Sequence, residues 1–328
     1  MRALLERWSP RRAAAIWIAS FAIAAALPYA LSSGYWLHVL TIGTVYGLLA
    51  ATWDLLYGLT GVVSFGHAAF FGVGAYAAAL ASARLGVEPW AGLLIGALAG
   101  SVVGLLFNLA AGRLRGTYLA LSTLAFAQTM QLIISSATDI TRGTEGLAGY
   151  DRLAVVGTDP KLNYWTALGV AAIAILVIRT LSSRTRPGLY WRAIRNNPAR
   201  AVTVGVDVAR YRLFALLLSS AIAGLIGAFY AYFVGVVSPS LLDAVVTAKI
   251  ISIAIIGGVG TIVGPFVAGI GLELATEQMR SFGGAVTTLA TGLLIVALVE
   301  LLPGGLADGI RRIRVGRRAE SAARADAA

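Results

Sequence analysis

Residues able to do chemistry are few in this chain, and their types already exclude much. Cysteine is absent, which removes disulfides, thiolate metal sites and a thiol nucleophile. The two histidines, His38 and His67, lie too far apart to form a local metal motif. No stretch reads GxxxxGK[ST], and no nucleophile stands beside a base in a recognisable motif. The expectation is of no catalytic residue, no metal, no cofactor bound by this chain, and no ATP hydrolysis by it alone.

What remains are isolated polar groups inside apolar runs. Lys249 and Glu273 lie deepest, where a charge costs about 2.5–3.5 kcal/mol on insertion scales. They either pair with each other or line a water-filled pathway. Asp54 and Glu300 fall near one end of their runs and Glu277 near the other, where snorkelling or helix contacts suffice. His67 stands in the string SFGHAAFFGVG with Ser64, Gly66, Gly72 and Gly74. It reads as a hydrogen-bonded packing residue in preference to a proton relay.

The elements that carry these groups are apolar helices. Apolar residues make up 58% and charged residues only 12%, where soluble domains have about 25% charged. This predicts an all-α polytopic membrane protein. A bilayer core of about 30 Å needs about 20 residues per helix. Ten candidate spans run roughly 13–32, 36–57, 61–82, 90–111, 117–136, 163–180, 212–233, 242–256, 263–280 and 285–302. Eight would also fit, with the two short C-terminal candidates re-entrant. The first run, preceded by Arg2, Arg7, Arg11 and Arg12, resembles a signal peptide, but its length and the spans after it favour an uncleaved anchor.

Charge sets the orientation. With the N-terminus inside, the inner segments hold those four arginines, Arg113 and Arg115, eight arginines between 179 and 212, and six in the tail from Arg311 to Arg324. Only Arg84, Arg142, Arg152, Lys161 and Arg280 fall outside. Both termini are therefore expected in the cytoplasm. The net charge of +11 reflects this bias and implies no nucleic-acid partner. The chain divides into a cytoplasmic segment 1–12, a transmembrane domain 13–302 that includes a cytoplasmic loop at about 181–211, and a basic cytoplasmic tail 303–328.

Two glycine-rich stretches stand out, one from Gly58 to Gly74 and one with Gly257, Gly258, Gly260, Gly264 and Pro265. Blocks of four spans, two to five and seven to ten, are offset by an odd number and would be inverted relative to each other. Such paired interruptions point to a pathway between two halves. The alternative is that the glycines only let helices pack closely.

The loop from Arg186 to Asp207 is the most informative stretch. Pro187-Gly188 breaks the preceding helix. Leu189 to Arg195 suits a short helix bearing Arg192 and Arg195. Asn197 is a good N-cap and Pro198 fits the first helical position of a second helix. That helix, with Arg200 and Ala201, should stop at Gly205 in the C′ role. A short capped helix outside the bilayer suits docking to a cytoplasmic partner, against the plainer reading of a solvated basic loop.

These motifs together resemble the permeases of branched-chain amino-acid ABC importers, the LivH/LivM family, on the LivM-like side. The resemblance covers about residues 35–300. It rests on GLTGVVSFGHAAFFGVGAYAAAL from Gly58, GTYLALSTLAFAQ from Gly116 and TRGTEGLAG from Thr141. It rests also on the segment from Arg186 to Phe214 leading into SSAIAGLIGAFYAY from Ser219, and on GGVGTIVGP from Gly257.

The resemblance implies a type II importer permease fold in a bacterial inner membrane. It implies pairing with a second, LivH-like permease, two cytoplasmic ATPase subunits that bind ATP and Mg, and an extracytoplasmic solute-binding protein. The loop near 196–205 would be the coupling helix, with Arg195, Asn197, Arg200, Ala201 and Gly205 matching the family's pattern. Asn196, Pro198 and Val202 stand where relatives often carry acidic residues, so docking should be less ionic. The outer loop, with Thr141, Gly143, Glu145 and Gly146, is a candidate for receiving the binding protein. The rival readings are an ion-coupled secondary transporter of a small solute, in which Glu273 or His67 would be essential, and a membrane-embedded enzyme or assembly subunit.

Overall fold

The computed structural model describes residues 21–29, 33–153, 159–280, 283–301 and 304–306. The N-terminal arginines, the arginines of the tail and most of the run 13–32 lie outside them, so the choice between signal peptide and anchor does too. Residues 21–29 are helical.

The chain is mostly helical. Its helices are α1 (Gly34–Thr60), α2 (His67–Leu85), α3 (Pro89–Ala111), α4 (Thr117–Ser136), α5 (Pro160–Arg184), α6 (Arg186–Asn196), α7 (Pro198–Thr203), α8 (Val208–Val234), α9 (Ala244–Gly257), α10 (Val263–Met279) and α11 (Gly284–Leu301). Six of them, α1 to α5 and α8, are long and apolar enough to cross a membrane. Helices α9 and α10 have 14 and 17 residues. At 1.5 Å per residue, α9 reaches only about 21 Å, short of a bilayer core of about 30 Å.

One predicted boundary is corrected. The third span was expected from residue 61, but α2 starts at His67. Gly61 closes α1 in the left-handed region at φ +74°, its N–H bonded to Tyr57 O. The segment from Gly61 to Gly66 is then irregular. The Trp53 Nε1–H donates to Ser64 O at 2.7 Å and holds that segment against α1. Hydropathy runs unbroken through Val62, Val63 and Phe65, so only the backbone shows the interruption.

Helices α1 and α8 are the centre of the bundle. Each has 27 residues and each ends at a left-handed glycine, Gly61 and Gly235. Each also crosses the third helix of the other group of four: α1 packs on α10, and α8 packs on α3. Glycines set both crossings. A Cβ on Gly43 would stand 3.0 Å from the Ile270 backbone, and one on Gly100 would stand 3.0 Å from Gly224 Cα. In lipid, where apolar side chains gain little by leaving the solvent, such close backbone approach gains dispersion energy instead.

The two glycine stretches open different helices of their blocks. The first leads from α1 into α2, whereas the second turns α9 into α10. The reciprocal relationship lies in α1 with α10 and α8 with α3. Glycine marks close approach, and close approach occurs wherever helices cross, not only at symmetry-related places.

Beyond α4, the chain forms one turn at Thr138–Thr141, a 3-10 turn at Gly143–Glu145 and a short strand, β1 (Leu147–Ala148). That strand pairs antiparallel with β2 (Val236–Val237), directly after α8. Leu94, Leu98, Val102, Leu105 and Leu109 of α3 are exposed along one helical face. Such a face suits hydrocarbon.

Candidate functional site

His67 is fully buried where α1, α2 and α8 meet. Its Nε2 lies 2.9 Å from Ser219 Oγ, and the Ser219 hydroxyl donates to Thr52 O at 2.7 Å. Ser219 has one proton and spends it on Thr52, so it accepts from the His67 Nε2–H. Nδ1 faces Ser64 Oγ at 3.4 Å. The neutral imidazole satisfies this set. The same junction is pinned by the Ala68 N–H to Thr247 Oγ1 at 3.2 Å and the Phe65 N–H to Thr123 Oγ1 at 2.8 Å. Ser219, Thr52, Thr123 and Thr247 were not singled out in the sequence. Hydroxyls in apolar helices usually bond their own backbone one turn back, so nothing local distinguishes those that bridge helices.

Lys249 of α9 and Glu273 of α10 form an ion pair. The Lys249 ammonium also lies 4.0 Å from the ring centroid of Tyr46 on α1, a cation–π contact. The carboxylate is nearly buried and the ammonium about one-third exposed. The pair therefore joins three helices and keeps one polar edge open.

The glycines named in the sequence sit at tight contacts. Gly74 faces Gly224, Gly72 faces Leu242, and Gly66 faces the Thr123 backbone. Gly257 and Gly264 face each other across the α9–α10 turn, with Pro265 beside Gly257. Gly258 caps α9 at φ +100°. Gly260 has φ +85° and packs against the Arg195 guanidinium.

The α9–α10 turn is held by Asp54, a fully buried residue of α1. Its two carboxylate oxygens accept the N–H groups of Gly260 at 2.5 Å and Ile262 at 2.9 Å. Ile262 has φ +62° and ψ −50°, a sparsely allowed conformation that a β-branched residue adopts only when its surroundings enforce it. One helical turn further along α1, Gly58 O accepts from Arg195 Nη1. The chain returns here once more, with Gly305 packed against Gly258.

Arg195 belongs to α6, which docks tightly onto the start of α8. Trp191 is fully buried, donates to Tyr211 O at 2.8 Å and stacks on Phe214. The break before α6 falls at Thr185, and Pro187 lies in the first turn of α6.

Helix α7 then follows. The Asn197 side chain accepts from the Arg200 N–H at 3.1 Å, and Pro198 occupies the first turn. At the other end, the Gly205 N–H bonds Val202 O and the Val206 N–H bonds Ala201 O, both at 3.0 Å. With Gly205 at φ +82°, this is a Schellman motif, and Val206 and Ala201 supply its apolar contact with Ile194. Arg200, Val202 and Val204 face outward, as does Arg192, whose Nε bonds Gly188 O at 3.2 Å.

In the loop after α4, Thr141 Oγ1 bonds Ile134 O at 2.6 Å and Ala137 O at 2.8 Å, and accepts from the Gly143 N–H. Thr141, Gly143 and Gly146 are buried, whereas Arg142 and Glu145 are exposed. Tyr150 donates to Ala231 O at 2.9 Å, and burial, with Tyr232 beside it, pushes its phenol above the usual range. The loop is thus a strapped element of the fold that shows the charges of Arg142 and Glu145 to solvent.

Among the described residues, no group of three or more His, Asp or Glu is placed to hold a metal ion.

Comparison with known proteins adds the following. A family model described as branched-chain amino acid transport system / permease component matches residues 35–302. The LivM permease protein of the high-affinity branched-chain amino acid transport system of Escherichia coli (strain K12) is 27% identical over 308 residues, covering 86% of this chain and 72% of that protein. The LivH permease protein of the same organism is 22% identical over 287 residues, covering 81% of this chain and 92% of its own length. A solved structure, an inward-facing conformation of an ABC transporter of metal-chelate type, aligns with a TM-score of 0.49 at 16% identity, covering 90% of this chain and 99% of that one.

Proposed function

The chain belongs to the family of branched-chain amino acid transport system permease components, and from that premise we propose that it forms one half of the translocation pathway of an ATP-driven importer. The match over residues 35–302 carries this reading. The geometry that fits it is α7, capped at both ends and standing outside the apolar helices with Arg200, Val202 and Val204 exposed.

In this reading, α7 is the coupling helix and lies in the cytoplasm. Two ATPase subunits bind ATP and Mg below it. Their closure pushes α7, and α6 passes the push to α1 and α8. The exposed face of α7 is mostly apolar, so the groove that receives it should be apolar with a minor ionic part. In the same reading both termini lie on the cytoplasmic side, the side that the positive-inside bias of the arginines supports. A second, LivH-like permease completes the pathway, and an extracytoplasmic binding protein delivers the solute at the face bearing Arg142 and Glu145. Branched-chain amino acids are the solute class. The groups α1–α4 and α8–α11 are the two inverted halves of a type II permease, with α9 to α11 completing a set of about ten membrane segments. Lys249 and Glu273 are the candidate polar lining of the pathway.

The secondary-transporter reading has no comparable support. In that reading Glu273 or His67 would be essential, whereas Glu273 is paired with Lys249 and His67 is bonded between Ser64 and Ser219.

A tagged chain purified from its native membrane in mild detergent tests the proposal. Recovery of two ATPase subunits, a second permease and amino-acid-dependent ATP hydrolysis is expected. Recovery of the chain alone or as a homo-oligomer, with ion-driven uptake, would overturn it.

A further inference from the structure

The most demanding group in the fold is Asp54. A carboxylate with no exposed surface is tolerated only when hydrogen-bonded and charge-compensated. Both its oxygens are taken by backbone N–H groups of the α9–α10 turn, Gly260 and Ile262. The nearby cation is Arg195, whose guanidinium reaches the same turn at Gly260.

Arg195 does not merely sit nearby. Its guanidinium donates to Gly58 O and packs against Gly260. A Cβ on Gly58 would stand 2.9 Å from the carboxylate carbon of Asp54 and equally close to Gly260 Cα. Three separate pieces of chain therefore meet at one point: the end of α1, the α9–α10 turn and the end of α6, whose Arg195 keeps one side exposed. Nothing about packing alone requires ionised groups here. An apolar trio of similar volume would pack as well and avoid the desolvation cost. What ions and bidentate acceptors add is directionality, because they hold one relative placement of three backbones and resist sliding.

We propose that Asp54 and Arg195 weld α6, the end of α1 and the α9–α10 turn into one rigid body, so that a push received on α7 moves two separate parts of the membrane domain together. The two residues are positioning residues for coupling. The inference rests on the reading of the chain as an ATP-driven permease and adds the joint through which the drive enters the membrane.

The test uses the assembled transporter in proteoliposomes, with ATP hydrolysis and leucine uptake measured on the same vesicles. The wild-type complex must first show ATP-dependent uptake. If it shows none, the functional reading falls and the joint falls with it. Given that activity, Asp54→Asn is nearly isosteric but lacks the charge and one acceptor. It is expected to retain its ATPase subunits and its ATP hydrolysis, and to lose about tenfold or more in solute moved per ATP. Arg195→Gln should lower the same ratio. The double variant should be no lower than either single one, and Arg195→Lys should recover much of it.

A merely structural role predicts something different: less complex recovered, but an unchanged ratio of solute to ATP. That result would overturn the proposal. A second readout does not need transport. The chain has no cysteine, so single cysteines at the exposed residues Val202 on α7 and Val267 on α10 can carry spin labels. Their separation is expected to stay single and unchanged on ATP binding in wild type, and to broaden or shift in Asp54→Asn. An ATP-dependent shift of that separation in wild type would also overturn it.

Discussion

His67 donates from Nε2 to Ser219 at 2.9 Å, and Ser219 in turn donates to the Thr52 carbonyl, so three helices share one directed chain of hydrogen bonds. The imidazole therefore works as a fixed donor. His67→Gln keeps an N–H donor, whereas His67→Phe removes it from a dry site, at a cost of about 1–3 kcal/mol. The glutamine variant is expected to retain solubilised, monodisperse protein and uptake, and the phenylalanine variant to melt earlier. Thermal unfolding in detergent with parallel uptake assays checks both. A proton relay would instead make the glutamine variant inactive at normal stability.

At the crossing of α3 and α8, Gly224 leaves no room for a side chain against Gly100. Gly224→Leu is expected to force the helices apart, at about 1–3 kcal/mol or more, seen as poor recovery of monodisperse protein. Gly169 on α5 has nothing within 4 Å of an added Cβ. Gly169→Ala should be neutral in packing and gain up to about 1 kcal/mol from helix propensity. Size-exclusion profiles and melting temperatures of the two variants separate close approach from glycine content.

The ends of α7 give a third expectation. Asn197→Ala removes the N-cap bond, worth about 1 kcal/mol. Gly205→Val places a β-branched residue at φ +82°, where even an unbranched side chain costs about 1–2 kcal/mol. Both should speed hydrogen exchange across 198–206 without changing exchange in α8, and both should lower uptake more than ATP hydrolysis. Normal coupling with Gly205→Val would remove the coupling assignment of α7.

The ion pair of Lys249 and Glu273 gives a fourth. Lys249→Met leaves a nearly buried carboxylate unpaired, which typically costs about 3–5 kcal/mol for a buried pair, less here because the ammonium is partly exposed. Glu273→Gln on the same background should recover most of the stability. Melting curves of the single and double variants, analysed as a cycle, measure the coupling between them.

What the sequence disclosed follows the range of the physics involved. The caps of α7 were legible because Asn197, Pro198 and Gly205 act within a turn of themselves. The pairing of Lys249 with Glu273 was one of two readings, since the cost of burial demands a partner but does not name it. The start of α2 at His67 was not legible, because Val62, Val63 and Phe65 keep the hydropathy high through a backbone break. Asp54 was assigned to a helix end where snorkelling would suffice. Its hydrogen-bond donors come from Gly260 and Ile262, about two hundred residues away, and no local pattern encodes such a meeting. For the same reason Gly74 was read with its neighbours in sequence, whereas it faces Gly224.

Helix α8 contains no proline and runs unbroken for 27 residues, about 40 Å at 1.5 Å per residue. At one end Tyr211 and Phe214 grip Trp191, and at the other Ala231 and β2 hold Tyr150 and β1. Helix α6 and the loop that carries β1 are therefore fastened to the two tips of a single stiff strut. A load applied at one tip has no hinge in which to dissipate, and its axial component arrives at the other. A contact made at the Trp191 end can in this way be felt at the Tyr150 end through the axis of one helix.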